Sequence, residues 1–196
     1  MVKLLSSYLN PPTINQSNNN TIQPVEVILV DEQDNVLGSM EKIEAHKKGL
    51  LHRAFSVFIF NPDGEMLLQQ RALSKYHSPG LWSNACCSHP RPGEDAIVAA
   101  RKRLEQELGF STPLKKIFDF IYKVSFENGL TENEFDHVFL GEYEGEIRSN
   151  PEEVKAHVFK SIDDIKLQLK DNPETYTAWF RIAFPKIEQH LRNNSI

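Results

Sequence analysis

The chain has 196 residues, 40% of them hydrophobic and 25% charged, a balance typical of one globular domain with a single core. Its net charge of −5 excludes a general attraction to nucleic acid or to an anionic membrane surface, and no run approaches the ~20 apolar residues of a membrane span. The two cysteines, Cys86 and Cys87, are adjacent and cannot form a disulfide framework, so with no signal-peptide pattern we expect a reducing, cytoplasmic location.

The N-terminal part of the chain is expected to differ from the rest. Residues 1–24 contain a proline pair and an asparagine-rich run, which offer little to bury, so we predict a poorly ordered arm there. A single domain is expected over residues 25–196. It begins with a strand over Val25–Val30, which is rich in β-branched residues and runs into a polar turn.

The middle of the chain predicts a hairpin and a helix. Phe55–Phe60 reads as a strand, the turn Asn61–Gly64 reverses the chain, and Met66–Arg71 returns as the partner strand. Apolar residues recur at three- and four-residue steps over Glu94–Leu108, which predicts a helix. Gly109 directly after it is a typical helix stop.

The C-terminal half predicts a second hairpin and two helices. The strands are expected over 118–126 and 132–140, and a further strand over 154–159. Ser161 followed by Asp164 resembles a capping box in which the acid reaches back to the serine amide, and the last helix contains Trp179. Hairpins and separated helices together predict one α+β or α/β domain, with helices packed on a mixed sheet.

Five side chains have the character of ligands for a divalent metal. Two of them are glutamates two residues apart on a predicted strand, so both point to one face and repel each other unless a cation or a proton intervenes. With three imidazoles they suit an octahedral Mn²⁺, Mg²⁺ or Zn²⁺ site, and the full set is His46, His52, His89, Glu132 and Glu134. The alternative is that the acids form the solvated face of an edge strand. The remaining histidines are treated as structural or surface residues: His77, His137, His157 and His190.

A second group of side chains has the character of a phosphate site. Arg71 and Lys75 lie four residues apart, and Lys42 and Arg103 come from elsewhere in the chain. Arg103 shares a helix face with Glu107 at i, i+4 spacing, which is equally typical of a solvated ion pair. If Glu107 is buried it needs a counter-ion, and a Mg²⁺ that bridges to a diphosphate would supply one.

The stretch from Trp82 to Pro90 places the Cys87 thiol two residues before His89. The helix that follows carries Arg103 where a pyrophosphate-cleaving enzyme would need another carboxylate. The sequence therefore favours a pocket shared by a thiol, a metal-held carboxylate and a diphosphate anchor over a hydrolytic site.

These residues resemble a known family. The spacing from Ser88 through Glu94 and Glu107 to Gly109 resembles a degenerate Nudix box in which Arg103 and Gln106 replace acids. The departures, together with the run from Pro79 to His89, the Glu-Asn-Glu triplet at 132–134 and the tryptophan of the last helix, resemble the type 1 isopentenyl-diphosphate isomerases of the Nudix superfamily. The resemblance covers roughly residues 25–190 and implies a Nudix-like α/β/α sandwich, an α+β fold with a mixed sheet flanked by helices.

The resemblance implies roles for individual residues. The catalytic divalent ion would be held by His46, His52, His89, Glu132 and Glu134, and Glu107 with the Cys87 carbonyl would place a Mg²⁺ on the substrate diphosphate. The phosphates would be gripped by Lys42, Arg71, Lys75 and Arg103. The spacing between His46 and His52 is one residue shorter than the family pattern, so His52 is the ligand that the comparison supports least. Cys86 has no assigned role.

The implied reaction converts isopentenyl diphosphate to dimethylallyl diphosphate through a carbocation. Cys87 and Glu134 would be the opposed proton-transferring groups, with the choice of acid and base left open, while Tyr122 relays a proton and Trp179 stabilises the cation. Tyr122 shares a face with Glu134 only if the hairpin loop has an odd number of residues, so we predict the three-residue loop 127–129.

Two other functions are compatible with parts of the pattern. One is a Nudix hydrolase of a nucleoside diphosphate derivative, which the missing acids at Arg103 and Gln106 disfavour. The other is a non-catalytic metal- or phosphate-binding module, which would not need the Cys87 thiol. We expect a small-molecule diphosphate partner, neither nucleic acid nor membrane, and a monomer or weak homodimer.

Overall fold

The structure is a computed structural model that describes residues 25–75 and 77–194. The predicted arm at residues 1–24 lies outside this range. In the described part the strands are β1 (Glu26–Val30), β2 (Val36–Glu41), β3 (His52–Phe60), β4 (Met66–Arg71), β5 (Trp82–Asn84), β6 (Cys86–Ser88), β7 (Lys115–Ser125), β8 (Thr131–Glu142) and β9 (Val154–Lys160). The helices are α1 (Lys42–Lys48), α2 (Ala96–Leu108), α3 (Ile162–Asp171) and α4 (Ala178–Asn194), with a 3₁₀ turn at Pro173–Thr175.

The strands form one mixed sheet that divides beside β3. Its main order is β2-β1-β3-β4-β5, and β3 also pairs in parallel with β8, which pairs with β7. β3 and β4 share only the pair Phe60–Met66, after which β6 pairs with β3 and β5 pairs with β4. The strands of the two leaves therefore separate around the short β5–β6 segment, and β9 extends the β4 leaf.

The core lies on both faces of the sheet. Phe55, Val57 and Ile59 of β3 share one cluster with buried side chains of α2. Phe58 of the same strand belongs to a second cluster with side chains of α3 and α4. Successive strand residues point to opposite faces, so a strand covered on both sides must be apolar at nearly every position. Helices on both faces of a mixed sheet give the α/β/α sandwich that the sequence predicts.

Most predicted elements are confirmed within a few residues. α2 begins after the N-cap Asp95, whose side chain accepts a hydrogen bond from the Ile97 amide, and ends at Gly109 with φ of 74°. Ser161 caps α3 as predicted, but the Asp164 carboxylate accepts a hydrogen bond from the Ser161 hydroxyl instead of its amide. The predictions omitted β2, α1, β5 and β6, which are short and carry weak periodicity.

The hairpin that carries the predicted Tyr122–Glu134 pairing is confirmed. Tyr122 pairs with Glu134 in the register, and the Phe126 amide donates to the Leu130 carbonyl at 2.8 Å. The loop therefore consists of the three residues 127–129, and this odd number agrees with the prediction from the sequence. No helix in residues 25–75 or 77–194 is long and apolar enough to cross a membrane.

Gly109 provides a test of how the end of α2 is fixed. A Cβ at Gly109 would lie 2.5 Å from the Arg148 carbonyl oxygen, whereas a Cβ at Gly64 would have nothing within 4 Å, although both residues have a φ near 75°. We expect Gly64→Ala to lower the free energy of unfolding by about 1 kcal/mol through backbone strain alone. Gly109→Ala should cost a further ~1–3 kcal/mol, because a backbone carbonyl must move. Urea denaturation of both variants measures the difference, and equal losses would contradict the role of the close approach.

Candidate active site

The predicted functional residues converge on a small pocket beside the division of the sheet. Its volume is about 80 Å³. Its walls come from β4, β6, β7, β8, α1, α2 and α4 and the segments that follow β4 and β6. They comprise Lys42, Arg71, Lys75, His77, Cys87, Ser88, His89, Arg103, Glu107, Tyr122, Glu132, Glu134 and Trp179. His46 and His52 are buried and lie against His89, with ring centroids 5.4 and 4.9 Å away. Residues from seven elements thus line the pocket and His52 of β3 adjoins it, so the predicted residues meet.

A larger groove of about 750 Å³ lies elsewhere, between the β3–β4 turn, α3 and the end of α4. Its ionisable residues include Asp63, Glu142, Lys166 and Glu188, and they contain neither a histidine cluster nor a thiol. Volume alone does not mark a functional site, and convergent titratable groups are the stronger sign. The small pocket is therefore the candidate active site.

Four side chains of the site form a compact set of metal donors. One nitrogen or oxygen atom from each of His46, His52, His89 and Glu134 lies within 4.8 Å of all the others. His89 Nε2 lies 2.9 Å from Glu134 Oε1 and 3.2 Å from His52 Nε2. His52 belongs to the set despite its shortened spacing from His46, because it pairs directly with Glu134 in the parallel β3–β8 register.

The hydrogen bonds of the histidines favour a cation between them. His46 Nδ1 lies 2.7 Å from the Lys42 carbonyl oxygen and His52 Nδ1 lies 2.8 Å from the Leu50 carbonyl oxygen. A carbonyl only accepts, so each Nδ1 carries the proton and each Nε2 presents a lone pair to the cluster. Lone pairs that face one another need a positive charge between them. Burial lowers the pKa of His89 to about 3, which disfavours a proton in that position. The donor set therefore fits a divalent metal, and two of the three rings, His46 and His52, have the other nitrogen held by a carbonyl as metal sites require.

The fifth expected ligand, Glu132, lies on the same face of β8 and shares a hydrogen-bonding partner with Glu134. The Tyr122 hydroxyl lies 2.7 Å from Glu134 Oε2 and 3.2 Å from Glu132 Oε2. Burial, reinforced by Glu134, raises the pKa of Glu132 well above its usual value. Burial acts on Glu134 in the same direction, but His89 and His52 outweigh it and hold its pKa well below the usual value. The pKa values of the two carboxyl groups are therefore shifted in opposite directions, which favours the ionised form at Glu134 and the neutral form at Glu132.

The two adjacent cysteines have opposite environments because β6 alternates its faces. Cys86 pairs with Val57 and is buried in the core cluster against α2. Cys87 pairs with Ser56 and lines the pocket. Burial, followed by the charge of Asp136, raises the pKa of the Cys87 thiol well above its usual value. Cys87 is therefore a neutral thiol at the pocket wall, and Cys86 is a core residue.

The four cations of the phosphate group line the pocket, and two of them, Arg103 and Lys75, are paired with acids. Arg103 Nη2 donates to Glu107 Oε1 at 2.5 Å and lies 3.4 Å from Glu153 Oε2. Lys75 forms an ion pair with the same Glu153 oxygen. Glu107 is 5% exposed, which excludes the fully solvated ion pair, and its other oxygen accepts from Gln69 Nε2 at 2.9 Å. Glu153 and Gln69 were not identified from the sequence.

Aromatic residues form the remaining wall, and one prediction fails there. Trp179 Nε1 donates to Ser83 Oγ at 2.8 Å, and the Arg71 guanidinium lies 5.1 Å from the centroid of the indole ring. His77 was expected to be structural or at the surface, but it lines the pocket between Trp179 and Phe126 at ring distances of 5.5 Å. The loop after β4 turns it inward, which no periodicity in the sequence could indicate. His137 faces away as predicted and contacts Asp34.

Comparisons with known proteins agree with this geometry. The NUDIX domain family matches residues 50–180. A protein of Pectobacterium atrosepticum named isopentenyl-diphosphate Delta-isomerase is 48% identical over 165 residues, which cover 84% of this chain and 92% of the relative. A protein of Aromatoleum aromaticum named isopentenyl-diphosphate Delta-isomerase 2 is 46% identical over 83% of this chain and 86% of the relative.

Solved structures support the fold. A crystal structure of a Deinococcus radiodurans protein superposes with a TM-score of 0.69 at 16% identity, covering 82% of this chain and 98% of that one. The MutT protein of Methanosarcina mazei gives a TM-score of 0.59 at 20% identity, over 74% and 96% of the two chains. At these identities the likeness establishes the shared architecture alone.

The donor cluster predicts that divalent metal stabilises the protein. Chelator treatment should lower the melting temperature, and Mn²⁺, Mg²⁺ or Zn²⁺ should restore it, since a ligand that binds only the folded state adds its binding free energy to stability. His89→Ala should abolish that recovery, while His157→Ala, at an exposed position of β9, should keep it. Thermal melts with metal analysis of the purified protein measure both. Equal responses of the two variants would exclude the His–Glu cluster as the metal site.

Proposed function

We propose that this chain, which belongs to the isopentenyl-diphosphate Delta-isomerases of the NUDIX domain family, interconverts isopentenyl diphosphate and dimethylallyl diphosphate. It is an enzyme that moves a carbon–carbon double bond by one position and supplies the two building blocks of isoprenoid synthesis. The identities of 48% and 46% to relatives of that name, over most of the chain, support this assignment.

The single observation that carries the proposal is the composition of the pocket. A neutral thiol, Cys87, and a buried carboxylate bound by a tyrosine, Glu134, line the same small volume. Arginine and lysine side chains, among them Arg103 of α2, also line it. Moving a double bond in a diphosphate with a short hydrocarbon chain requires a proton donor and a proton acceptor around a narrow cavity. It also requires cationic side chains that bind the phosphates, here called the anion clamp.

The reaction needs one proton added and one removed. Addition to the terminal methylene carbon gives a tertiary carbocation, and loss of a proton from the carbon on the diphosphate side forms the new double bond. We assign the two transfers to Cys87 and Glu134, which exchange roles in the reverse direction. The Tyr122 hydroxyl, 2.7 Å from Glu134 Oε2, is placed to relay the proton at that carboxyl group.

Trp179 is assigned to the carbocation. Its hydrogen bond to Ser83 fixes the indole, and its ring already attracts one cation, the Arg71 guanidinium. The same electron-rich ring would stabilise a positive carbon without offering a nucleophile to trap it. Trp179 is itself only 5% exposed, so its ring offers the cation a largely apolar surface.

We assign the divalent metal to His46, His52, His89 and Glu134, with Glu132 beside them. When bound, the metal would withdraw charge from the Glu134 carboxyl and strengthen it as a proton donor. Three imidazoles with one carboxylate are compatible with Zn²⁺ and Mn²⁺ and, less typically, with Mg²⁺. Tyr122 meanwhile holds the Glu134 oxygen that lies away from His89.

We assign the diphosphate to Lys42, Arg71, Lys75 and Arg103. Glu107 has hydrogen bonds to both oxygens but retains lone pairs, since an ionised carboxylate has about four acceptor sites. It can therefore contribute, with the Cys87 carbonyl, to a Mg²⁺ that accompanies the substrate. The binding energy of this remote group would position the hydrocarbon chain against Cys87 and Glu134.

Deuterium incorporation provides the decisive test. Isopentenyl diphosphate incubated in D₂O with the metal-loaded protein should lose its exomethylene proton signals and gain dimethylallyl signals that carry solvent deuterium. Cys87→Ala should lower kcat by about 10²–10⁴-fold, because it removes one of the two proton-transferring groups. Cys86→Ala, which removes the neighbouring thiol on the opposite face of β6, should stay close to wild type. An unchanged spectrum for the metal-loaded wild type would refute the isomerase assignment.

The anion clamp makes a separate prediction. Lys75→Met should raise the KM for isopentenyl diphosphate by about 10- to 100-fold, the range expected for losing a hydrogen bond to a charged group. Lys170→Met, an exposed lysine of α3 far from the pocket, should leave KM unchanged. Steady-state kinetics on both variants give the comparison. A Lys75→Met effect confined to kcat would place Lys75 outside the clamp.

A further inference from the structure

Three polar side chains that the proposed mechanism does not use are buried beneath Cys87. Ser56, Asn84 and Asp136 are 3%, 1% and 2% exposed, in a part of the sheet where most neighbours are apolar. Burying polar groups costs free energy unless their hydrogen bonds are made. Their retention directly under the pocket thiol therefore calls for a reason other than packing.

Ser56 is the residue that lies directly opposite Cys87 on the neighbouring strand. It pairs with Cys87 across β3 and β6, and its Oγ lies 3.3 Å from Cys87 Sγ. Its hydroxyl donates to Asp136 Oδ2 at 2.8 Å. Asp136 lies on β8 on the same face of the sheet as Glu134, so these contacts form a short chain from the sheet interior to the pocket thiol.

Asn84 supplies the other contact of the thiol. Cys87 Sγ donates to Asn84 Oδ1 at 3.1 Å. The Asn84 amide nitrogen donates to the carbonyls of Val57 and Cys86, each at 3.0 Å, so the side chain is fixed with its oxygen toward the sulfur. An amide oxygen can only accept, so Asn84 stabilises the sulfur only while it carries its proton.

Asp136 has a narrower role than its charge suggests. Its Oδ1 is buried without a hydrogen-bond partner in the described part of the chain, and its Oδ2 accepts from Ser56. In the described part of the chain, the Asp136 side chain makes its hydrogen bond with Ser56, so it acts on the pocket through Ser56.

We propose that Ser56, held in place by Asp136, is the positioning residue for the Cys87 thiol in the proton transfer, an inference that rests on the proposed isomerase function. A hydroxyl both donates and accepts. Before the transfer, Ser56 can therefore accept from the thiol, or leave it to Asn84, while its own hydrogen goes to Asp136. Once the thiol proton has gone to the substrate, Ser56 can turn its hydrogen from Asp136 to the sulfur. Asn84 cannot make that change, so Ser56 is the contact that persists through the step.

The first test separates this role from packing. Ser56→Ala should lower kcat by about tenfold or more while KM stays within about twofold, since the lost hydrogen bond matters in the transfer and not in diphosphate binding. Metal content should stay at the wild-type level. Ser161→Ala, which removes the cap of α3 remote from the pocket, is the matched control: it should lose stability without losing kcat. An unchanged kcat in Ser56→Ala, or a fall accompanied by loss of metal, would overturn the proposal.

The second test addresses Asp136. Asp136→Asn keeps an oxygen that can accept from Ser56 and should retain most of kcat, whereas Asp136→Leu should lower it. The double variant Ser56→Ala/Asp136→Leu should be no slower than Ser56→Ala alone, because the two residues act in series. Additive losses would show that Asp136 acts independently of Ser56 and would overturn its assigned part.

A third measurement does not depend on turnover. The S–H stretching band of Cys87, assigned in the Raman spectrum by its disappearance in Cys87→Ala, should shift in Ser56→Ala and not in Ser161→Ala. If the wild type does not isomerise the substrate but the band shifts in Ser56→Ala, the isomerase assignment is refuted and the contact between Ser56 and Cys87 is supported. If turnover is normal and the band does not move in Ser56→Ala, the positioning proposal is the one that fails.

Discussion

The whole site depends on the register that joins β3 to β8 and to β6. His52 pairs with Glu134, Ser56 pairs with Cys87, and side chains repeat every two residues along each strand. A slip of one residue on β8 would turn Glu134 away from the histidines and expose its opposite face to the pocket. The register is held by apolar residues on both faces of β3, so the chemistry is fixed by the packing of the core.

Burial then determines how charge can be arranged. Glu132, Glu134 and Asp136 occupy alternate positions of one strand and are each at most 7% exposed, a placement that three ionised carboxylates would not tolerate. Histidine neighbours keep Glu134 ionised, and burial favours the neutral form of the other two. The carboxyl groups of this one strand therefore differ through their partners, not through residue type.

The sequence predicted the elements and the site members better than their contacts. Strong periodicity and caps located α2 and the hairpins, and residue chemistry singled out side chains that the fold brings together in one pocket. The short strands β5 and β6 carry too few residues for a period, so the opposite faces of Cys86 and Cys87 were not foreseen. Ser56 and Asp136 were also missed, because their contact depends on a parallel pairing of segments some eighty residues apart that no local pattern specifies. His77 depends on a loop conformation, the least predictable level of structure.

Arg103 shows how one fold can support a different reaction. A hydrolase of this family gathers metal with an acidic cluster on the helix that here carries Arg103, but the Arg103 guanidinium binds Glu107 and lies near Glu153. The helix face is therefore neutralised and suited to an anion. The carboxylate that lies among the metal donors is Glu134, and it comes from β8. This strand pairs with one edge of β3, and β6, which carries the pocket thiol, pairs with the other edge. Under the proposed function, an acid on the strand instead of the helix would lie beside the hydrocarbon end of a ligand whose phosphates bind at the helix. The same fold would then move a proton instead of breaking a phosphate bond.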